Sequence, residues 1–257
     1  MGIIYFAVIL ASCILGAIVG LGGGVFLRPI FDAIGYHDVI SIGFFASFAI
    51  FSMAVVSTTK KIKDGTKIHS EIAIPIALGA IAGGVLGNLL LEYLLEITAR
   101  QTHVQYIQIV ATIKVLVTSL ILTAKSTLRL ELSSKVLIFA LGIALGIVAA
   151  FLGIGGGPLN VPMFMIFFGL GIKDATTYSI AVILLTHFLR LVTLGITVGF
   201  LHFDLAVLPF VIVAASLGGL IGAKLSKTFS EKTVRRLFQG SLCLVILMNL
   251  VNGLFIL

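Results

Sequence analysis

Gly20-Leu21-Gly22-Gly23-Gly24 returns 133 residues later as Gly153-Ile154-Gly155-Gly156-Gly157. Each copy follows a long apolar run and precedes a short one, and each has a proline five residues past its last glycine, Pro29 and Pro162. Glycine costs about 1 kcal/mol per residue inside a helix. Three of them in lipid would also expose backbone groups with no partner. Such a break is tolerated where it is buried in protein or lines a cavity, and in transporters that place is commonly the substrate site.

Working outward from the two breaks, the apolar runs are 3–19, 25–34, 39–57, 71–95 and 104–124, then 136–152, 159–168, 175–199, 205–225 and 234–257. The run 25–34 spans about 15 Å as a helix, half of a hydrocarbon core of about 30 Å. Charged residues make up 11% of the chain, hydrophobic residues 60%, and the mean hydropathy is +1.24. Soluble domains carry roughly 25% charged residues. The chain therefore reads as an all-α integral membrane protein, without the alternating short segments of a β-barrel. Met1-Gly-Ile-Ile reads as the start of a retained first membrane helix.

The second half repeats the landmarks of the first. Asp38 answers Asp174, His69-Ser-Glu71 answers His202-Phe-Asp204, Pro75 answers Pro209, and Gly83, Gly84 and Gly87 answer Gly218, Gly219 and Gly222. The expected organisation is a repeat over 1–124, a connection over 125–135 and a repeat over 136–257. The glycine clusters suit close helix packing. Cys13 and Cys243 are isolated in apolar runs and read as core residues.

Charge decides between two topologies. Setting aside Arg28, Lys114 and Arg190, which lie well inside apolar runs, fourteen of the seventeen Lys and Arg remain. If each glycine break is a kink in one spanning helix, Lys60, Lys61, Lys63, Lys67, Lys125, Arg129 and Lys135 face one side. Arg100, Lys173, Lys224, Lys227, Lys232, Arg235 and Arg236 then face the other, an even division. If each break is a hairpin tip, all but Arg100 share one side. The positive-inside rule selects the hairpins. Each half then has a glycine-broken hairpin plus three spanning helices, and the two halves are inverted repeats. Both termini lie outside the cell (inner) membrane and the basic loops are cytoplasmic. The net charge of +7 belongs to loops facing anionic lipid, and no nucleic acid partner is implied.

Paired broken helices in inverted halves are a recurrent transporter plan. Helix N-termini beginning at the glycines carry partial positive charge, and glycine lets backbone N–H groups approach an oxyanion closely. The candidate substrate-binding residues are Gly22, Gly23, Gly24, Gly155, Gly156 and Gly157, together with Arg28 and Arg190. The competing reading is two re-entrant hairpins that only pack. An arginine inside a membrane faces a cavity or a partner. Arg190 reads as an anion ligand or gate, or else as a structural partner of Glu92, Asp32 or backbone carbonyls. Arg28 has the uncharged Val161 as its counterpart. His187, three residues before Arg190, is a proton-carrier candidate or a packing residue. Lys114, between Thr112 and Thr118, could line the same path. Carboxylates are too few for a Na⁺ or divalent-cation site, and no metal or cofactor is expected. The glycine runs lack the sixth-position glycine of a dinucleotide fingerprint, and there is no Walker loop. Neither HExxH nor GxSxG occurs, so no catalytic residue is assigned.

The doubled turn, Gly-Leu-Gly-Gly-Gly and Gly-Ile-Gly-Gly-Gly-Pro, resembles the TauE/SafE sulfite exporter family. So does the stretch Gly199 to Pro209, which carries Gly and an acidic residue ahead of Pro, and more loosely Gly65 to Pro75. In the Gly65 to Pro75 stretch Glu71 stands for the usual Asp or Asn. The resemblance covers essentially the whole chain. It implies a permease, not an enzyme, that exports sulfite, sulfoacetate or a related sulfur-containing anion, and it places the family's turn on Gly22–Gly24 and Gly155–Gly157. An anion channel, a carrier of sulfate or a carboxylate, and a membrane scaffold are the alternatives. The residues do not specify an oligomeric state.

Overall fold

The computed structural model of the chain describes residues 2–34, 39–98, 101–124, 130–153, 155–197 and 199–256. Ten α-helices form within them: α1 (Gly2–Val19), α2 (Gly24–Ile34), α3 (Val39–Lys63), α4 (Ser70–Thr98), α5 (Gln101–Ala124), α6 (Lys135–Leu152), α7 (Gly157–Phe167), α8 (Ile172–Thr197), α9 (Leu208–Thr228) and α10 (Glu231–Ile256). Seven of these, α3 to α6 and α8 to α10, are long and apolar enough to cross a membrane. The sequence reading expects six crossings. The seventh is α6, which at 18 residues is long enough by length and composition alone.

The glycine runs break the chain because their backbone is left-handed. Gly20, Gly22 and Gly23 have φ of 77, 81 and 72°, and Gly153, Gly155 and Gly156 repeat them at 67, 70 and 79°. Residues with a Cβ avoid this region, so the sequence and the turn require each other. In each copy the residue after the third of these glycines opens the short helix. Its first bonds match too: Phe26 and Leu27 donate to the Gly23 carbonyl, and Leu159 and Asn160 to that of Gly156.

After each turn the chain goes back the way it came. Tyr5 near the start of α1 stacks on Phe31 near the end of α2, with ring centroids 4.6 Å apart. One continuous helix would separate these two residues by about 39 Å. In the second copy Leu130 and Leu132, just before α6, donate to Ile166 and Phe167 at the end of α7 at 2.8 and 2.7 Å.

The long helices pack across the halves, α1 on α9 and α4 on α6. Small residues set both contacts. A Cβ added at Gly83 or Gly87 would strike the carbonyl of Ile143 or Ile147, and one at Gly218 or Gly222 would meet that of Leu10 or Ile14. Leu10 and Ile143 are 133 residues apart, as are Ile14 and Ile147. The two interfaces therefore use the same register with the halves exchanged. The small-xxx-small spacing does here what it does between membrane helices generally, bringing backbones into contact.

One end of the molecule gathers the basic segments. Asp64, in the turn after α3, accepts from Lys60 Nζ at 2.8 Å and lies 3.4 Å from Lys227 Nζ. Lys173 Nζ donates to the Lys227 and Phe229 carbonyls at 3.0 and 2.9 Å, and Arg235 donates to the Thr123 carbonyl. Two boundaries differ from the sequence reading. α3 continues through Lys60, Lys61 and Lys63, ending where Gly65 (φ 95°) turns the chain. α10 begins at Glu231, inside the stretch read as a basic loop, because Ser230 Oγ accepts from the Thr233 N–H as an N-cap. Asp38, Arg100, Lys125 and Arg129 lie outside the described residues.

Candidate functional site

A cavity of about 670 Å³ lies among α4, α5, α6, α8 and the second glycine turn. Gly153, Gly155 and Gly156 form part of its wall, with Asn160 from the first turn of α7 and Thr186, His187, Arg190 and Thr193 from α8. Asn88 of α4 and Gln105 and Gln108 of α5 complete its polar lining. The spacing on α8 explains the grouping, since residues three and four apart share a helix face. The remaining lining extends along α4 to Leu95 and reaches the start of α5 at Val104. The cavity thus runs from the glycine turn towards the end opposite the basic cluster.

Arg190 is near that end and not at the middle of α8. It stands seven residues before Thr197, where α8 ends, or about 10 Å. Its Nη2 reaches α3, where it lies 3.5 Å from the position of a Cβ on Gly43. His187 is 5% exposed, and its buried Nδ1 has no hydrogen-bond partner among the described residues. Buried polar atoms are rarely left so. Asn160 is 4% exposed and its amide lies about 3.5 Å from the Cβ position of Gly156.

Side chains from other helices hold the turns in place. Gln108 Nε2 donates to the Phe151 carbonyl at 2.6 Å, and Ser119 Oγ to the Pro158 carbonyl at 2.5 Å. On the other hairpin Ser179 Oγ donates to the Gly20 carbonyl at 2.6 Å. The Phe151 and Gly20 carbonyls are left open by the helix breaks, and that of Pro158 by Pro162, which has no N–H to donate to it.

Of the residues singled out from sequence, Gly155, Gly156, His187 and Arg190 share this cavity. Gly157 is buried behind it, where a Cβ would collide with the Leu21 backbone, so the two turns touch. Gly22, Gly23 and Gly24 do not line the cavity. Cβ atoms there would meet Ile183, the Ser12 carbonyl and Ile50 respectively. Lys114 is exposed on α5 away from the cavity, and Glu92 is exposed on α4. The side chains of Arg28 and Asp32 lie outside the described residues. The helix N-terminus argument needs one correction, since Pro158 follows Gly157 and offers no N–H to an anion.

Sequence reasoning missed Asn160, Asn88, Gln105 and Gln108. Asn160 had a signal, as the only amide in an otherwise apolar eleven-residue helix. Asn88 had the same signal, as the only amide in α4, whereas Gln105 and Gln108 sit near other polar residues at the start of α5. Among the described residues no group of His, Cys, Asp and Glu is placed to hold a metal ion.

A second cavity of about 460 Å³ opens at the basic end, lined by Asp64, Thr66, Lys67, His69, Asp174 and Tyr178. It sits among helix ends and loops, and no turn glycine lines it.

No curated protein and no solved structure matches the chain. A family of membrane transporters does. Its profile covers residues 4–249, and so includes both glycine turns, the cavity and all seven helices long enough to span. This multi-pass membrane protein belongs to the sulfite exporter TauE/SafE family.

Proposed function

We propose that the protein is a secondary transporter that exports a small sulfur-containing oxyanion, such as sulfite or an organosulfonate. The observation that carries this reading is the shared cavity of Arg190, His187, Asn160 and the second glycine turn. Arg190 supplies the full positive charge and a fork of donors suited to an oxyanion. The His187 ring and the Asn160 amide add neutral hydrogen-bonding groups. Gly155 and Gly156 keep side chains out of the way, so that the anion can approach the backbone.

The two halves, 1–124 and 136–257 joined by 125–135, act as inverted repeats. The matched φ values of the turns and the exchanged Leu10–Gly218 and Ile143–Gly83 contacts support this. The basic end is cytoplasmic, by the positive-inside rule, and both termini are outside. The cavity then opens outward. Gly22, Gly23 and Gly24, packed in this state, are the inward half of the same site, with Arg28 one turn beyond. Rocking one half against the other exposes each turn alternately. A membrane potential negative inside drives an anion outward by about 2.3 kcal/mol per charge per 100 mV, so export needs no coupled ion.

The test is efflux of sulfite, sulfoacetate, sulfate and acetate from proteoliposomes under an imposed potential. Potential-dependent efflux of sulfite or sulfoacetate in preference to acetate is expected. Equal efflux of all four, at rates far above a carrier's, would favour a channel. Efflux of none would remove the substrate assignment.

A further inference from the structure

Three buried polar side chains near the basic end of α3 have no role in the cavity. Ser57, Thr58 and Lys61 are 0, 8 and 6% exposed. Among the described residues Ser57 Oγ, Thr58 Oγ1 and Lys61 Nζ each have no hydrogen-bond partner. Ser57 and Lys61 are one turn apart and share a face, with Thr58 beside them. We propose that these three side chains form a second oxyanion-binding site, distinct from the Arg190 cavity.

The hydroxyls behave unlike others on the membrane helices. Ser47, Thr118, Thr123, Thr177 and Thr197 each donate to the carbonyl four residues back, the usual solution for a helical hydroxyl in an apolar setting. Ser57 and Thr58 do not. The nearby helix-end carbonyls of Lys60, Lys61 and Ile62 accept from Asp64, Thr66 and Gly65 respectively, and among the described residues none of them accepts from Lys61 Nζ. The charged groups acting on Lys61 are Lys173 and Asp174. Lys173 Nζ is bonded to the Lys227 and Phe229 carbonyls and, being of like charge, gives Lys61 no counter-charge. Asp174 forms no ion pair with Lys61 among the described residues, and it lines the open cavity at the basic end.

In its protonated form the buried Lys61 side chain, with two hydroxyls, presents donors and a positive charge. A ligand that satisfies them must bring acceptors and a negative charge. A cation is repelled, and a neutral polyol leaves the ammonium unbalanced. On the register set by Asp38 and Asp174, Ser57 is the counterpart of Thr193, which lines the Arg190 cavity. The same helix face thus carries polar groups at both ends of the protein. The proposal stands on these buried donors and does not require transport.

Equilibrium binding of radiolabelled sulfite to the purified full chain in nonionic detergent tests it. Lys61→Met, of similar shape, is expected to remove one saturable component of binding, while Lys61→Arg and Arg190→Gln retain that component. Ser57→Ala with Thr58→Val is expected to weaken it about tenfold or more, the loss for one hydrogen bond to a charged group. This double variant keeps the test valid if Lys61→Met lowers the unfolding temperature. Added phosphatidylglycerol that displaces the sulfite would assign the site to a lipid phosphate, and retention would assign it to a free ion. Unchanged binding in both Lys61→Met and the double variant would overturn the proposal. If the Arg190 site were absent, Arg190→Gln would match wild type while Lys61→Met still lost binding, so the two readings fail separately.

Discussion

The Leu21 backbone occupies the space that a Cβ on Gly157 would need, so the tips of the two glycine turns are in contact. Gly155, two residues earlier, has nothing within 4 Å of its Cβ position and faces the cavity. One turn therefore contains a packing glycine and a lining glycine side by side. Gly157→Ala is expected to lose folded protein. Gly155→Ala, strained by its φ of 70°, costs about 1–2 kcal/mol yet leaves a folded protein with reduced flux. Size-exclusion profiles and efflux from the same preparations check both. Equal loss of folded protein in the two variants would reduce the turn to packing alone.

The exchanged interfaces predict matched sensitivities. Gly83→Ala and Gly218→Ala push a methyl group towards the Ile143 and Leu10 carbonyls respectively. Both should destabilise, by about 1–3 kcal/mol for overpacking. Gly84, with nothing within 4 Å of its Cβ position, should tolerate alanine. Thermal unfolding in detergent is the readout. A Gly84→Ala loss as large as that at Gly83 would contradict the packing described.

Asp64 provides a pH-dependent tie at the basic end. The hydrogen bond from Lys60 holds its carboxyl below the usual carboxylate range, with Lys227 adding to the effect. A lowered folded pKa means that the ionised form is favoured by folding. The tie is therefore fully present above the unfolded value, about 3.9, and is lost as pH falls through the lower folded value. Wild type should unfold at a higher temperature than Asp64→Asn at pH 6, and the gap should close as pH falls below the carboxylate range. A gap that stays constant down to the acid limit would show that ionisation is not its cause.

Much of this architecture could be read before any coordinates. Glycine runs in lipid have few physical explanations, and each is followed by a proline at the same spacing. Charge counting separated the returning turn from the kink because a returning turn reverses the side of every later loop. The Tyr5–Phe31 stack and the Asp64–Lys227 contact are the distances on which that choice bears. The site was harder to read. Sequence symmetry gives both turns equal weight, whereas Gly155 and Gly156 line the cavity and Gly22, Gly23 and Gly24 do not. Which turn faces a cavity depends on tertiary packing. Lys114 drew notice for being charged within an apolar run, but its exposed face on α5 depends on tertiary packing. Asn160 and Gln108 do not stand out in the sequence because amides carry no charge, although Gln108 bonds the Phe151 carbonyl beside the turn.

The same contrast between two intramembrane cations gives the most direct test. Arg190 lines the cavity and Lys114 does not. Potential-driven sulfite efflux should fall at least about tenfold in Arg190→Gln, the loss of one charge-assisted hydrogen bond. It should recover in part in Arg190→Lys, and remain at the wild-type rate in Lys114→Gln, with all three variants folded. Wild-type efflux in a folded Arg190→Gln protein would contradict an anion site in this cavity.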